Sequence, residues 1–166
     1  MRKLIADKLP RIVKSKKKLQ EKLKVKITNR GKEVSISGKP ENEYIAEKVI
    51  RAINFGFDFS TAILIKEEDF VFEILNIKDY TRRHDLERVR ARIIGKKGKT
   101  LNTLSQLTKC DFELKNNKIG IIGDPEYIKN AQDAIIHLIK GAKQSNVYSY
   151  LEKHQIKPII DLGLKE

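Results

Sequence analysis

The sequence predicts an α+β protein made of two related units, each a three-stranded sheet backed by helices in the order β-α-α-β-β-α. Three observations carry this: the chain matches itself at a fixed offset, short runs alternate apolar and polar residues, and longer runs repeat apolar residues at helical spacing. Laid over itself at that offset, Val34-Ser35-Ile36-Ser37-Gly38-Lys39-Pro40-Glu41 falls on Ile119-Gly120-Ile121-Ile122-Gly123-Asp124-Pro125-Glu126. The same offset carries Ala46, Ile50 and Ile53 onto Ala131, Ile135 and Leu138, Val25 and Ile27 onto Cys110 and Phe112, and Leu19 onto Leu104.

Each unit opens on a leading strand, Arg2–Ala6 in the first and Val71–Ile77 in the second. In the second, Leu86, Val89 and Ile93 repeat at helical spacing and predict a helix over Asp85–Ile94. A basic amphipathic helix follows in both units, over about Ser15–Leu23 and Lys99–Thr108. Next comes a strand, in the second unit Cys110–Leu114 with Cys110, Phe112 and Leu114 on one face. The turns Asn29-Arg30-Gly31 and Asn116-Asn117 lead back into a strand ending at Gly38 or Gly123. A long helix closes each unit. In the second, Asp124 is its N-cap, Pro125 its first residue, and Ile128, Ala131, Ile135, Leu138 and Ala142 its apolar stripe. Residues 55–69, FGFDFSTAILIKEED, are too apolar for a flexible linker, so the units are expected to pack together, with Ser60 capping a short helix there.

Composition bounds the function. The chain has 166 residues, enough to bury a core without disulfides, and 35 Lys+Arg against 22 Asp+Glu give a formal charge of +13. That excess points to a polyanion, nucleic acid before an anionic membrane surface. The single cysteine, Cys110, excludes a disulfide framework and a multi-cysteine zinc site. His84, His137 and His154 are scattered, and no metal or cofactor is expected. With no 18-residue apolar run and no signal-peptide core, the expected location is cytoplasmic, with no membrane partner.

The stretch ARIIGKKGKT, residues 91–100, has three readings. A phosphate-binding P-loop needs a glycine five positions before Gly98, where Ile93 stands, and it follows a strand rather than a helix. A solvated turn is the plain alternative. The third reading is a backbone clamp: two helices joined by G-x-x-G with basic middle residues are how KH domains grip single-stranded RNA or DNA. Glycines let a sugar-phosphate strand approach the main chain, and the helix start favours an anion. With β-β-α following, the fold class becomes two tandem type I KH domains, the first degenerate.

The predicted RNA-binding residues are Gly95, Lys96, Lys97, Gly98 and Lys99, with Arg92, Ile93, Ile94, Arg88, Thr100 and Leu101 beside them. Bases would lie against Ile93, Ile94, Leu101 and the edge of Cys110–Leu114. In the first unit, the repeat offset puts Pro10-Arg11-Ile12-Val13 where GKKG should be, unless a gap deletes the loop outright, the version that keeps the fold complete. Its lysines, Lys14, Lys16, Lys17, Lys18, Lys22 and Lys24, read either as a non-specific electrostatic surface or as a solvated face. The expected division is 1–55 as a degenerate KH domain, 56–69 as a packed connection, 70–145 as the KH domain with GKKG, and 146–166 as a helical extension.

These residues also carry a family likeness. AINFGFDFSTAILIKEEDFVFEILNIKDY, RVRARIIGKKGKT, IIGD and AQDAIIHLIKGAKQSNVYSYLEK resemble the archaeal branch of the pre-ribosomal KH proteins called Dim-two or partner-of-Nob-one, over about residues 50–153. The resemblance implies a non-catalytic assembly factor that binds small-subunit rRNA near its 3′ end, beside the endonuclease that matures that end. It also implies contact with the alpha subunit of translation initiation factor two. The archaeal pattern keeps a GxxG in the first domain too, and this chain departs from it there. Alternatives are a protein-interaction scaffold acting through Asn146–Lys153 and the lysine-rich helix, an RNA-capturing subunit of a degradation complex, or an enzyme with a nucleotide site at Gly98-Lys99-Thr100.

Overall fold

The computed structural model describes residues 1–155. The first unit runs β1 (Arg2–Ile5), α1 (Leu9–Leu23), β2 (Val25–Arg30), β3 (Glu33–Gly38) and α2 (Pro40–Phe55). Two single-turn helices, α3 (Phe59–Ala62) and α4 (Leu64–Glu67), bridge to the second. There follow β4 (Val71–Asn76), α5 (Leu86–Ile94), α6 (Lys99–Thr108), β5 (Asp111–Lys115), β6 (Lys118–Gly123), α7 (Pro125–Ile139) and α8 (Gln144–Lys153). Both sheets are antiparallel with the last strand in the middle, in the orders β1-β3-β2 and β4-β6-β5.

The first unit is therefore β-α-β-β-α, one helix short of the expected order. Strand pairing locates the loss. Ile36 pairs with Arg2, whereas its repeat equivalent, Ile121, pairs with Glu73. Arg2 and Glu73 are closer in sequence than Ile36 and Ile121, so a helix and its loop are absent between leading strand and basic helix of the first unit. A single helix fills the space. It starts at Leu9, well before the predicted Ser15, because Pro10 fits a first turn, where its missing N–H is not needed.

Each unit has its own apolar core. In the first, Ile12, Leu19 and Leu23 of α1 meet Ala46, Val49, Ile50 and Ile53 of α2 above Ile27, Val34 and Ile36. In the second, Leu104, Ala131, Ile135 and Leu138 meet Ile119 and Ile121. Each such large aliphatic side chain contributes about 1.5–3 kcal/mol of transfer free energy. Cys110 precedes β5 rather than opening it and lies in this core, and Ala142 lies beyond the end of α7.

The units pack directly on each other. Ile122 of β6 joins the first unit's core, and Phe72 meets Phe55 and Phe57 edge-on at 5.9 and 5.7 Å. Gly120 makes this possible, since a Cβ there would lie 2.8 Å from the Phe55 ring and 2.9 Å from that of Phe57. In the bridge, Asp58 rather than Ser60 caps α3. Its carboxylate accepts from the Thr61 N–H and the Ser60 hydroxyl, because Ser60 sits inside the turn. The C-terminal helix α8 starts at Gln144, just before the expected boundary, and buries Val147 and Leu151 against α6 and α7. The rest of the expected extension, 156–166, lies outside the described residues. Among the described residues, no helix is long and apolar enough to cross a membrane.

Candidate nucleic-acid interface

Asp85 starts α5 by accepting the Arg88 N–H, and Gly95 ends it. At φ 77° and ψ 173°, Gly95 takes a conformation closed to residues with a side chain. Lys97 and Gly98 follow at φ 55° and 75°, and the chain re-enters a helix at Lys99. The two glycines do different work. A Cβ on Gly95 would sit 2.6 Å from Thr100 Cβ and 2.7 Å from Thr100 N, so this glycine presses the bend onto the first turn of α6. A Cβ on Gly98 would meet open space, leaving bare main chain between exposed Lys97 and Lys99. No ion pair among the described residues involves Lys96, Lys97 or Lys99.

The predicted residues divide into those the surface presents and those the fold consumes. Lys96, Lys97, Gly98 and Lys99 form the open bend, with half-buried Ile94 and Leu101 flanking it. Ile93 is 0% exposed and belongs to the core, so it lines no groove. Thr100 is 5% exposed and packs under Gly95, receiving the Gln144 amide at 3.4 Å. Arg92 donates to the carbonyls of Leu138, at 2.8 Å, and Ala142, tying α5 to the end of α7. Arg88 stays exposed, 3.8 Å from Asp85.

The reason is angular. Residues advance about 100° around a helix, so Arg88 and Arg92 share the flank toward α7. Arg90 and Ile94 share the other flank, where Arg90 donates to the Asn117 side chain in the β5–β6 turn. The flank toward the β5–β6 turn thus carries Arg90 and Ile94, and Arg90 is a candidate absent from the residues predicted above. Its i, i+4 relation to Ile94 was the available signal. Gln144, which also donates to the Arg92 carbonyl at 3.3 Å, gave no local signal, being 52 residues away.

Across from the bend lies β5. As the outer strand of β4-β6-β5, it leaves one row of backbone N–H and C=O groups without a strand partner among the described residues. Phe112 and Leu114 turn toward the core under the helices. Burial pushes the Cys110 thiol up to about 12, so it stays protonated and unreactive. A basic bend with bare main chain, two half-buried aliphatic side chains and a free strand edge suit an extended polyanion that carries flat, hydrogen-bonding groups.

Comparison with known proteins agrees with this geometry. The family model for the second KH domain of PNO1, described as a eukaryotic type KH-domain (KH-domain type I), matches residues 71–156. The chain is 30% identical over 113 residues to the KH domain-containing protein MJ0443 of Methanocaldococcus jannaschii, covering 68% of this chain and 50% of that protein. It is 33% identical over 138 residues to the RNA-binding protein pno1 of Drosophila melanogaster, covering 78% and 58%. It thus spans about half the length of the curated relatives it matches. Among solved structures, Dim2p from Pyrococcus horikoshii OT3 superposes with a TM-score of 0.85 at 29% identity, over 92% of this chain and 98% of that one. So does a chain from the a/eIF2alpha-aDim2p-rRNA complex of the same organism, at 0.84 and 29%, over 93% of each.

Proposed function

The chain belongs to the PNO1 type of type I KH domains, and we propose that it is a single-stranded RNA-binding factor acting on small-subunit rRNA during ribosome assembly. The observation that carries this is the unobstructed main chain at Gly98 between two exposed lysines, opposite the free edge of β5. About four nucleotides fill a KH groove. Their backbone lies on Lys96–Lys99, and their bases lie against Ile94, Leu101 and Arg90 and pair with the β5 edge.

In this reading residues 70–145 are the RNA-gripping KH domain and 1–55 a KH domain that has lost its grip, with 56–69 joining them and the helix from 146 onward bracing the loop. The 3′ region of the rRNA is the expected target, and a factor-two alpha subunit the expected protein partner. The relatives' printed names, pre-rRNA processing and a complex with eIF2alpha and rRNA, support rRNA as the nucleic acid and the alpha subunit as the partner. The activity is binding, with no chemical step assigned to the chain.

Fluorescence anisotropy with a short single-stranded RNA tests the reading. With about four phosphates engaged, log K against log salt should slope near −3. Replacing Lys96 and Lys97 together by aspartate should weaken binding about a hundredfold at low salt and leave the melting temperature unchanged, since both side chains are exposed. A wild-type protein that ignores unpaired RNA, or a double variant that binds as before, overturns it.

A further inference from the structure

Two exposed aliphatic side chains meet in a crevice where the units join. Ile5, at the end of β1, is 63% exposed, and Ile74 of β4 is 48% exposed. They line one cavity of about 150 Å³, which continues into a second of about 400 Å³. The two share Phe55, Ile74 and Lys115 and so form one trough. A single row of β4 makes its floor. Phe72, Ile74 and Asn76 alternate with Leu75, which faces the second core, and therefore point toward the first unit. Strand register accounts for the depression: Ile74 pairs with Gly120, which has no side chain to cover it. Helices α5 and α6 cover the opposite face of this sheet through Val89, Ile93 and Leu104, so the trough and the GKKG bend are separate.

The trough has two unlike ends. The end at Ile5 and Phe72 is apolar, whereas the other is cationic, with Lys78, Lys115 and Lys118 against one carboxylate, Asp7. Lys115 meets Asp7 at 3.3 Å and the Asn54 carbonyl at 3.4 Å, which neutralises that pair. Lys78 and Lys118 are exposed, and among the described residues no ion pair involves either. Lys118 pairs with Asn76, one same-face step along β4 from Ile74, and such steps are about 6.8 Å. The rings in the lining, Phe55 and Phe72, pack on each other at 5.9 Å and on Phe57 at 6.2 and 5.7 Å. They serve the contact between the units rather than a nucleic-acid base.

We propose that this trough docks an extended acidic segment of a partner protein, one that carries an aliphatic residue and a carboxylate two positions apart. The aliphatic side chain covers Ile74 and Ile5, and the carboxylate meets Lys118 and Lys78. Complementary charge selects an acidic segment, and the 6.8 Å step, about two residues of extended chain, sets its spacing. Strands β1 and β4 are outer strands of their sheets, so among the described residues each also offers a free edge to the segment's backbone. A nucleic acid would satisfy the lysines and leave the aliphatic end uncovered. The site stands apart from the RNA reading, because bend and trough occupy opposite faces of one sheet.

Panning a displayed library of random ten-residue peptides against the full chain, with single-stranded RNA in excess, tests the site. Recovered peptides should carry the aliphatic–carboxylate spacing. In fluorescence anisotropy with one labelled recovered peptide, Lys78→Glu with Lys118→Glu should weaken binding by about tenfold or more. Ile5→Ser with Ile74→Thr should cost about tenfold. All four side chains are exposed, so both double variants should melt near the wild-type temperature. Replacing Lys96 and Lys97 by aspartate should change peptide affinity less than about twofold, since the bend lies on the other face. Recovering no peptide, recovering peptides without the spacing, or affinity that survives either trough variant overturns the site. RNA that displaces the peptide would give the trough to nucleic acid and overturn it too. So would a wild-type dimer in sedimentation equilibrium that Ile5→Ser with Ile74→Thr dissolves, which would give the trough to a second copy of the chain.

Discussion

In both units the long helix ends on a glycine, Gly56 and Gly141, which occupy equivalent positions of the repeat, and in both an arginine from the preceding helices donates to the carbonyls there. Arg11 reaches Gly56 O at 2.7 Å in the first unit, and Arg92 reaches Leu138 O at 2.8 Å and Ala142 O in the second. The core positions correspond as well: Leu19 and Leu104, Ile36 and Ile121, Ile50 and Ile135 are all fully buried. What differs is the helix and loop between leading strand and basic helix. The first unit packs its core without them, so this fold does not require the GKKG bend to be stable. The second unit keeps a bend that exposes three lysines and holds one of them, Lys97, at φ 55°, a cost that something bound there would offset.

The sharpest way to break this comparison is at the glycines. Gly95→Ala forces a Cβ into buried Thr100 in a conformation only glycine tolerates, and about 3 kcal/mol of stability should be lost in urea titrations. The first unit's turn glycine is the contrast. Gly31, at φ 60°, faces open space, and its counterpart in the second unit is Asn116 at φ 55°. Gly31→Asn should therefore stay within about 0.5 kcal/mol of wild type. A Gly95→Ala protein as stable as Gly31→Asn would mean the bend is not pressed onto α6.

A smaller effect separates two arginines of one helix. Arg92→Ala leaves the carbonyls at the end of α7 without their charged donor and should cost about 1.5–3 kcal/mol. Arg88→Ala, on an exposed side chain, should cost under about 0.5 kcal/mol. Equal costs would show that Arg92 does not tie α5 to α7, and the parallel with Arg11 would fail.

Much of this was legible in the residues. The single repeat offset located β3 and β6, β2 and β5, and the starts of α2 and α7, because alternation and capping are local signals. The bend was legible because two glycines close together between two helical stripes force a sharp turn, whichever reading of its lysines is taken. The flanks of α5 were harder. Helical spacing separates Arg90 from the pair Arg88 and Arg92, but only the packing of α7 decides which flank faces the β5–β6 turn. Ile93 and Ile94 are neighbours, but only Ile93 continues the stripe of Leu86 and Val89, and it is fully buried while Ile94 stays half-buried beside the bend.

The finest contrast between the units is in their carboxylates. In the first, the Gly38 N–H donates to Glu43 at 2.9 Å and holds that carboxyl below its ordinary 4.5, whereas the equivalent residue in the second is Ile128. In the second, burial pushes Asp111 and Glu113 above their ordinary 3.8 and 4.5, with Asp58 adding to the rise and Lys8 and Arg11 drawing Glu113 partly back. The two shifts have opposite consequences. Glu43 stabilises the fold fully above 4.5 and loses that contribution as pH falls through its depressed folded value. Glu43→Gln should therefore lower the melting temperature at pH 7, by a deficit that shrinks below pH 4.5. Asp111 and Glu113 oppose folding while ionised, so Asp111→Asn with Glu113→Gln should raise the melting temperature at pH 7. That gain should fade as pH falls through the raised values and be gone below 3.8, where both states are protonated. A gain surviving at lower pH would mean these carboxyls are not desolvated by the first unit, and β5 would then be open to solvent on the face assigned here to the contact between the units.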